Sequence, residues 1–384
     1  MNIAMICTEK LPVPPVAGGA VQLYIEGILP YLSANHDITV YSIRYPGLPE
    51  EEVRDGVNYV RLPGKSDTTY MESLKSAVSK SHDLVHVFNR PRTILALMDV
   101  LPDTRLSLSL HNEMFHPGKI SAGDGARCIE RVEFINTVSK FIANGVKNRF
   151  PAAENKLHVV YSGADDRVYR TNWSPEGLAN RKELRAKLGL GDGRVVLFVG
   201  RLSKKKGVHV LLNAMKKVAE KNPDTALVVI GSKWYGKNDS DDYTRFIANL
   251  ASSLTVPIVF TGFIPPAHIP AYFNIGDVFV CASQWNEPLA RVHFEAMAAG
   301  LPIVTTDRGG NAEVVGDHVN GLVIEDCMDT SVMAECISYL LQNPEVAAAM
   351  GCNGRMQAET RFNWKRVADE IFQGVLEPGE DGPS

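Results

Sequence analysis

Residues Val195–Lys221 read VVLFVGRLSKKKGVHVLLNAMKKVAEK, and the fold follows from them. An apolar run from Val195 to Val199 stops at Gly200, as a buried parallel strand does. Val208–Lys221 has the length and pattern of a helix. Between the two lies a short basic loop. The unit is therefore strand, loop, helix, and its neighbours repeat it. After about residue 175 come ALVVIG, PIVFTGF, DVFVCAS, PIVTT and GLVIE, each a strand candidate, with connections such as Ala290–Ala299 of helical length. Before it come NIAMICT, DITVYSI, VNYVRL, DLVHVF, RLSLSL, FINTVS and LHVVYSG, with helical patterns at Ala20–Ser33 and Lys140–Phe150. Strands alternating with helices predict a parallel sheet covered on both faces. Two such series predict an α/β protein of two Rossmann-like, doubly wound domains.

The polar, turn-rich stretch SGADDRVYRTNWSP, residues 162–175, marks the boundary. The expected division is an N-terminal domain over 1–165 and a C-terminal domain over 176–360. Residues 361–384 form a terminal helix that crosses back to the first domain, followed by the fraying tail GVLEPGEDGPS. A length of 384 residues suits two domains.

Composition narrows the function. A net charge of −4 supplies no global basic field, which argues against nucleic acid as a partner. The six cysteines form no C-x-x-C pair and read as buried free thiols of a reducing compartment. The N-terminal MNIAMICTEK lacks the basic region of a signal peptide, and no stretch approaches the roughly 20 apolar residues of a membrane span. The expectation is a cytoplasmic protein.

Three segments carry chemistry. Gly18 and Gly19 end the loop LPVPPVAGG and precede a helix, where backbone amides can approach an anion. Their spacing is not G-x-G-x-x-G, which disfavours a nicotinamide cofactor, and a simple tight turn would look the same. In the basic loop, Arg201, Lys204, Lys205 and Lys206 sit at the carboxyl end of a strand, where a guanidinium and an ammonium complement a pyrophosphate. At least one of these lysines reads as merely solvated. In WNEPLARVHFEAMAAGLPIV, Glu287 lies just before a helix and Glu295 within it. Eight helical residues rise about 12 Å, so the two carboxylates could address different hydroxyls of one elongated ligand. The helix start after Pro288, with Leu289 and Ala290, could offer amides to phosphates between them.

GRLSKKKG and the pair Glu287-PLARVHF-Glu295 resemble family 4 of the retaining glycosyltransferases, which has a GT-B fold of two domains facing across a cleft and an E-x₇-E motif. PPVAGGAVQLYIEGILPYLSANHDITVYS, TVSKF, VVYSGADDRVY and TTDRGGNAEVV look like further landmarks in family order, so the resemblance covers nearly the whole chain. EKLPVPP, NRP, SLHNEMF and SQWNEPLARVHFEAMAAGLPI are similar to a branch associated with the spore coat of endospore-forming bacteria. The resemblance implies a nucleotide-sugar donor, a UDP-sugar first, and an acceptor it does not identify. It implies that Arg201 and Lys206 bind the donor pyrophosphate, that Glu295 binds the ribose, and that Glu287 binds the donor sugar near the reaction centre. His111 would line the sugar site from the first domain, and Gly18 and Gly19 would approach the phosphates and the acceptor. The cationic residues could substitute for a metal, so no catalytic metal and no cofactor beyond the donor co-substrate are expected. Lys204-Lys205 and Ala290-Arg291 depart from the family pattern. Arg291 would either face the phosphates or turn toward an acceptor. A sugar-nucleotide epimerase and a non-catalytic coat or scaffold protein are the competing readings, since fold alone does not fix function.

Overall fold

The computed structural model describes residues 1–64, 67–233 and 241–373. The expected tail from residue 374 lies outside them. The chain forms two compact units, Met1–Ser162 joined by the stretch from Trp364, and Gly163–Asn363.

The first unit is built on an eight-stranded sheet. Its strands are β1 (Asn2–Ile6), β2 (Asp37–Ile43), β3 (Glu51–Arg54), β4 (Val57–Leu62), β5 (Leu84–Phe88), β6 (Arg105–Leu110), β7 (Ile135–Thr137) and β8 (Leu157–Val159), in the order β3-β4-β2-β1-β5-β6-β7-β8. All pairings are parallel except β3 with β4. The seven expected strands are present. The extra strand, Glu51–Arg54, reads EEVR; it is charged, lies at the sheet edge and gives no apolar signal. Ile3–Ile6 of β1 and all of β5 are buried, and their side chains are apolar except for His86, which sits between the Ser107 and Ser109 hydroxyls at 2.7 Å each. Burial pulls that imidazole down to about 3, so it is neutral in the core.

The C-terminal helix Trp364–Ile371 belongs to this unit. Its Trp364 ring lies against Gly27, where a Cβ would collide with the indole, and edge-on to Tyr24 at 5.7 Å. Both residues are on the helix Ala20–Leu32. Asn136 on β7 donates to the Ile371 carbonyl at 2.8 Å, which fixes the far end.

The second unit holds a six-stranded parallel sheet of β9 (Arg194–Val199), β10 (Thr225–Ile230), β11 (Ile258–Gly262), β12 (Val278–Cys281), β13 (Ile303–Thr306) and β14 (Gly321–Ile324), ordered β11-β10-β9-β12-β13-β14. The helix Val208–Lys221 buries Val208, Leu211, Leu212, Met215 and Val218 against Val196, Val229 and Val280. Beneath the sheet's other end, Asp277 takes Arg181 at 2.6 Å, Arg185 at 2.7 Å and the Val195 amide at 2.7 Å.

Each sheet reverses its strand order once, between β1 and β5 in the first unit and between β9 and β12 in the second. Loops diverge there at the carboxyl ends of the strands and leave a crevice for a ligand.

Candidate active site

In the second unit the two loops at the reversal are the basic loop after β9 and the Ser283–Glu287 stretch after β12. The basic loop runs from Arg201, half-buried, into a 3₁₀ turn at Lys204–Lys206 and ends at Gly207 with φ 74°. Only glycine suits that angle, and any Cβ there would strike the Ala282 carbonyl. The Gln284 amide donates to the Lys205 carbonyl at 2.8 Å. The two loops are thus clamped together by backbone.

That clamp places Lys206 on Glu287. The ammonium donates to Oε2 at 2.7 Å; the same oxygen accepts from Trp285 Nε1 at 2.9 Å and Ser283 Oγ at 3.0 Å. Glu287 is only 7% exposed. Burial pushes its pKa up, but the Lys206 charge and the three hydrogen bonds outweigh burial and hold it below the ordinary carboxylate value. Its backbone is pinned as well. Gly310 donates to the Glu287 carbonyl at 2.8 Å, and Gly309, at φ 66°, packs so closely that a Cβ would meet the Glu287 main chain. The glycine pair of TTDRGGNAEVV therefore holds the carboxylate in place.

The helix of this motif is shorter than its sequence suggests. It spans Val292–Ala298, so Ala290 is not helical and the eight-residue helical rise does not relate Glu287 to Glu295. The Ala290 amide, ahead of the helix, donates to Asn311 Oδ1 at 3.2 Å. Leu289 and Ala290 are buried. His293, inside the motif, is wholly buried between the Ala290 carbonyl at 3.0 Å and Thr305 Oγ1 at 2.9 Å. Burial lowers it to about 4, so it is a neutral structural tie. Glu295, 6% exposed, takes Arg291 at 3.1 Å. Tyr169 also bonds it, and burial, followed by this carboxylate's charge, drives the phenol pKa well up. Arg291 also reaches the Gly163 carbonyl at 3.5 Å. In this structure it serves Glu295.

Lys205 departs from a merely solvated lysine. Its ammonium sits 4.4 Å from the centroid of the Trp285 ring. Of the expected residues, the structure brings Lys206 and Glu287 into contact. Trp285 and Ser283, the other donors to Glu287, went unnoticed in the sequence; the signal was their position two and four residues before it.

Gly18, Gly19 and His111 lie in the first unit, around its own strand reversal. Gly18 and Gly19 have φ of 88° and 106°, and a side chain at Gly19 would collide with Gln22 and Leu11. The Gly18 amide donates to the Pro15 carbonyl at 2.8 Å. The His111 ring packs edge-on against Tyr24 at 4.7 Å, and its amide donates to Asn89 Oδ1 at 3.1 Å. Next to them is a pair that sequence reading passed over. Glu9 after β1 and Arg90 after β5 form two parallel hydrogen bonds of 2.6 and 2.7 Å. Among the described residues, no group of three or more His, Cys, Asp or Glu side chains is placed to hold a metal ion, and no helix is long and apolar enough to cross a membrane. Cys7, Cys128, Cys281 and Cys327 are buried free thiols as expected, whereas Cys352 is exposed.

A basic loop and a buried carboxylate thus meet at the reversal of a parallel sheet, in a chain with two such sheets. Residues 180–357 match the model of glycosyl transferases group 1 and residues 18–168 that of glycosyltransferase family 4. The chain is 46% identical to Spore coat protein SA of Bacillus subtilis (strain 168) over 97% of its own length and 98% of that protein's. It is 44% identical to YtcC of the same strain, over 98% of this chain and 93% of YtcC. Anabaena Alr3699/HepE, solved in complex with UDP-glucose, superposes with a TM-score of 0.79 at 20% identity, covering 97% of this chain and 99% of that one. The chain belongs to the family 4 glycosyltransferases and is a transferase enzyme.

Proposed function

We propose that the protein moves a hexose, with retention of anomeric configuration, from a nucleoside-diphosphate sugar to an acceptor, and that UDP is the nucleotide. The observation that carries this is the contact between Lys206 and Glu287 at the strand reversal of the second sheet, 2.7 Å apart. It puts a cation for a diphosphate beside an ionised carboxylate for sugar hydroxyls. As the glycosidic bond breaks, negative charge grows on the leaving diphosphate, and Arg201 and Lys206 would stabilise it. Those cations do the work a metal would otherwise do. The sugar gains oxocarbenium-like character, which the fixed Glu287 carboxylate favours. Glu295 would hold the ribose, with Arg291 and Tyr169 keeping it in place. His111 would line the sugar site, and Gly18 and Gly19 the approach to phosphates and acceptor. The UDP-glucose complex of HepE supports a uridine nucleotide, and the relation to Spore coat protein SA supports a role in spore-surface glycan formation, with synthesis in the cytoplasm.

The test is a thermal-shift panel of UDP, GDP, ADP and their glucose conjugates. Ligand binding raises apparent stability by mass action, so UDP and UDP-sugars should raise Tm by several degrees and the others by less. A larger shift with GDP or ADP would change the donor. No shift with any nucleotide would count against the transferase reading of this site.

A further inference from the structure

We propose that Lys205 and Trp285 act as a positioning relay for Glu287, in which the indole N–H fixes the carboxylate and the lysine strengthens that N–H as a donor. The inference rests on the reading of Glu287 as the carboxylate at the donor sugar.

The geometry runs in one line. The Lys205 ammonium lies 4.4 Å from the Trp285 ring centroid, and Trp285 Nε1 donates to Glu287 Oε2 at 2.9 Å. A cation over an indole draws density from the ring and makes its N–H a better donor. Both ends are held by main chain. The Gln284 amide grips the Lys205 carbonyl at 2.8 Å, and the Gln284 side chain donates to the Ala282 and Cys327 carbonyls, each at 2.8 Å.

The need for a relay follows from the double duty of Lys206. Its ammonium is the strongest partner of Glu287, yet the same group is the cation suited to the diphosphate. As Lys206 is drawn toward phosphate oxygens, Ser283 and Trp285 are the donors that keep Oε2 in place and the carboxylate ionised. All three donors converge on Oε2, which leaves Oε1 to meet a sugar hydroxyl. The titratable groups facing Glu287 are Lys206, His293 and Cys281. His293 bonds Ala290 and Thr305, and burial pushes the Cys281 thiol up, so neither substitutes for the indole.

The experiment uses the full chain with Trp285→Phe, Lys205→Met and, as reference, Glu287→Gln. Steady-state donor kinetics and the pH dependence of kcat/KM are measured, with UDP-induced thermal shift to confirm folding and nucleotide binding. Trp285→Phe keeps an aromatic ring beside Lys205 but removes the pyrrole half of the indole and with it the N–H. It should lower kcat about tenfold with donor KM little changed, the size expected for one hydrogen bond to a charged group. Because that bond favours the ionised form of Glu287, the acid limb should move to higher pH. Lys205→Met should shift both quantities the same way by less. A Trp285→Phe protein that binds UDP normally and keeps the wild-type acid limb overturns the relay, whatever its kcat. Should Trp285→Phe not fold, Lys205→Met on the exposed lysine decides, and an unmoved acid limb there overturns the relay. If Glu287→Gln retains wild-type kcat, the catalytic reading of Glu287 fails and the relay with it. A crippled Glu287→Gln beside an unaffected Trp285→Phe sinks the relay alone.

Discussion

The two sheets place a carboxylate and a cation at the same topological position, yet they bond them differently. In the first unit Arg90 takes both oxygens of Glu9 at 2.6 and 2.7 Å, a closed fork with each oxygen engaged. In the second unit Lys206, Trp285 and Ser283 all converge on one oxygen of Glu287. A closed fork satisfies itself and holds two loops together. An ammonium and an indole on one oxygen leave the other for a ligand. The choice of Arg against Lys matches this: the guanidinium is pre-organised for bidentate pairing, whereas the ammonium is a point charge that can be redirected. Burial and ion pairing alone do not tell the two carboxylates apart; the distribution of donors between their oxygens does.

The sharpest break of this comparison is a matched pair of substitutions. Glu287→Gln should lower kcat roughly a hundredfold or more, the scale seen when one preorganised electrostatic contact at a reacting centre is lost, and should also cost stability, since it leaves Lys206 without its carboxylate. Glu9→Gln should cost stability and leave kcat unchanged. It leaves Arg90, 22% exposed at its side chain, without its charged partner, and breaking a buried pair typically costs about 3–5 kcal/mol. The measurements are steady-state donor kinetics and urea denaturation of both proteins. Equal kinetic loss from the two, with stability intact, would erase the distinction between closed and open pairs.

Arg201 ranks next. Arg201→Ala should weaken UDP binding about tenfold or more and leave uridine binding unchanged, if its contact is with the diphosphate as proposed. Isothermal titration with both ligands reads this directly. Equal loss for both would mean a contact with the nucleoside or a damaged fold. Lys204→Ala should change neither, since Lys204 is exposed on the turn and has no role in holding Glu287.

Much of this was legible in the sequence, and the limits have particular causes. Strands such as Val195–Val199 and Thr225–Ile230 show as apolar runs because parallel strands are buried on both faces. Edge strand Glu51–Arg54 pairs on one side only and carries charge, so it gave no signal. The carboxylates Glu287 and Glu295 stand out by their apolar surroundings. The helix start between them does not: the helix begins only at Val292, and the Ala290 amide ahead of it is taken by Asn311, 21 positions further on. Glu9 and Arg90 are 81 positions apart, and only the parallel pairing of β1 with β5 brings them together. Trp285 was in plain view, but the carboxylate its N–H meets belongs to Glu287, whose backbone Gly309 and Gly310 hold from outside the motif.

Acid should test the closed pair without any substitution. Burial raises the pKa of Glu9, but the Arg90 hydrogen bonds and charge outweigh it and bring it to about 2, from an ordinary value of 4.5. A carboxylate depressed on folding contributes stability that is complete above its unfolded pKa and fades as pH falls through the folded one. The Glu9 contribution should therefore be present above about pH 4.5 and be lost between there and about pH 2. Urea melts across that range should show a shallower decline for Glu9→Gln than for wild type. Parallel declines would mean that other carboxylates dominate acid unfolding.

A smaller kinetic effect is expected at Glu295, and it separates the two ends of the donor. This carboxylate is as buried as Glu287, at 6% exposure, but its partners differ. Arg291 lies one helical turn before it at 3.1 Å and Tyr169 adds a hydrogen bond. If Glu295 holds the ribose, its bond is made equally in the ground and transition states, because no charge develops at the ribose. Uniform binding of that kind appears in KM and leaves kcat alone. Glu295→Gln should therefore raise donor KM about threefold to tenfold, the cost of weakening one hydrogen bond to a charged group. The substitution also frees Arg291 from its carboxylate, so Arg291→Ala is the control. It leaves Glu295 in place and should raise KM by less, with kcat again unchanged. Steady-state donor kinetics of the two variants decide the matter. A fall in kcat for Glu295→Gln with KM unchanged would mean that the sugar, not the ribose, lies beside Glu295. The donor would then run the other way along the motif, and Glu287 with its three donors would be the nucleoside anchor.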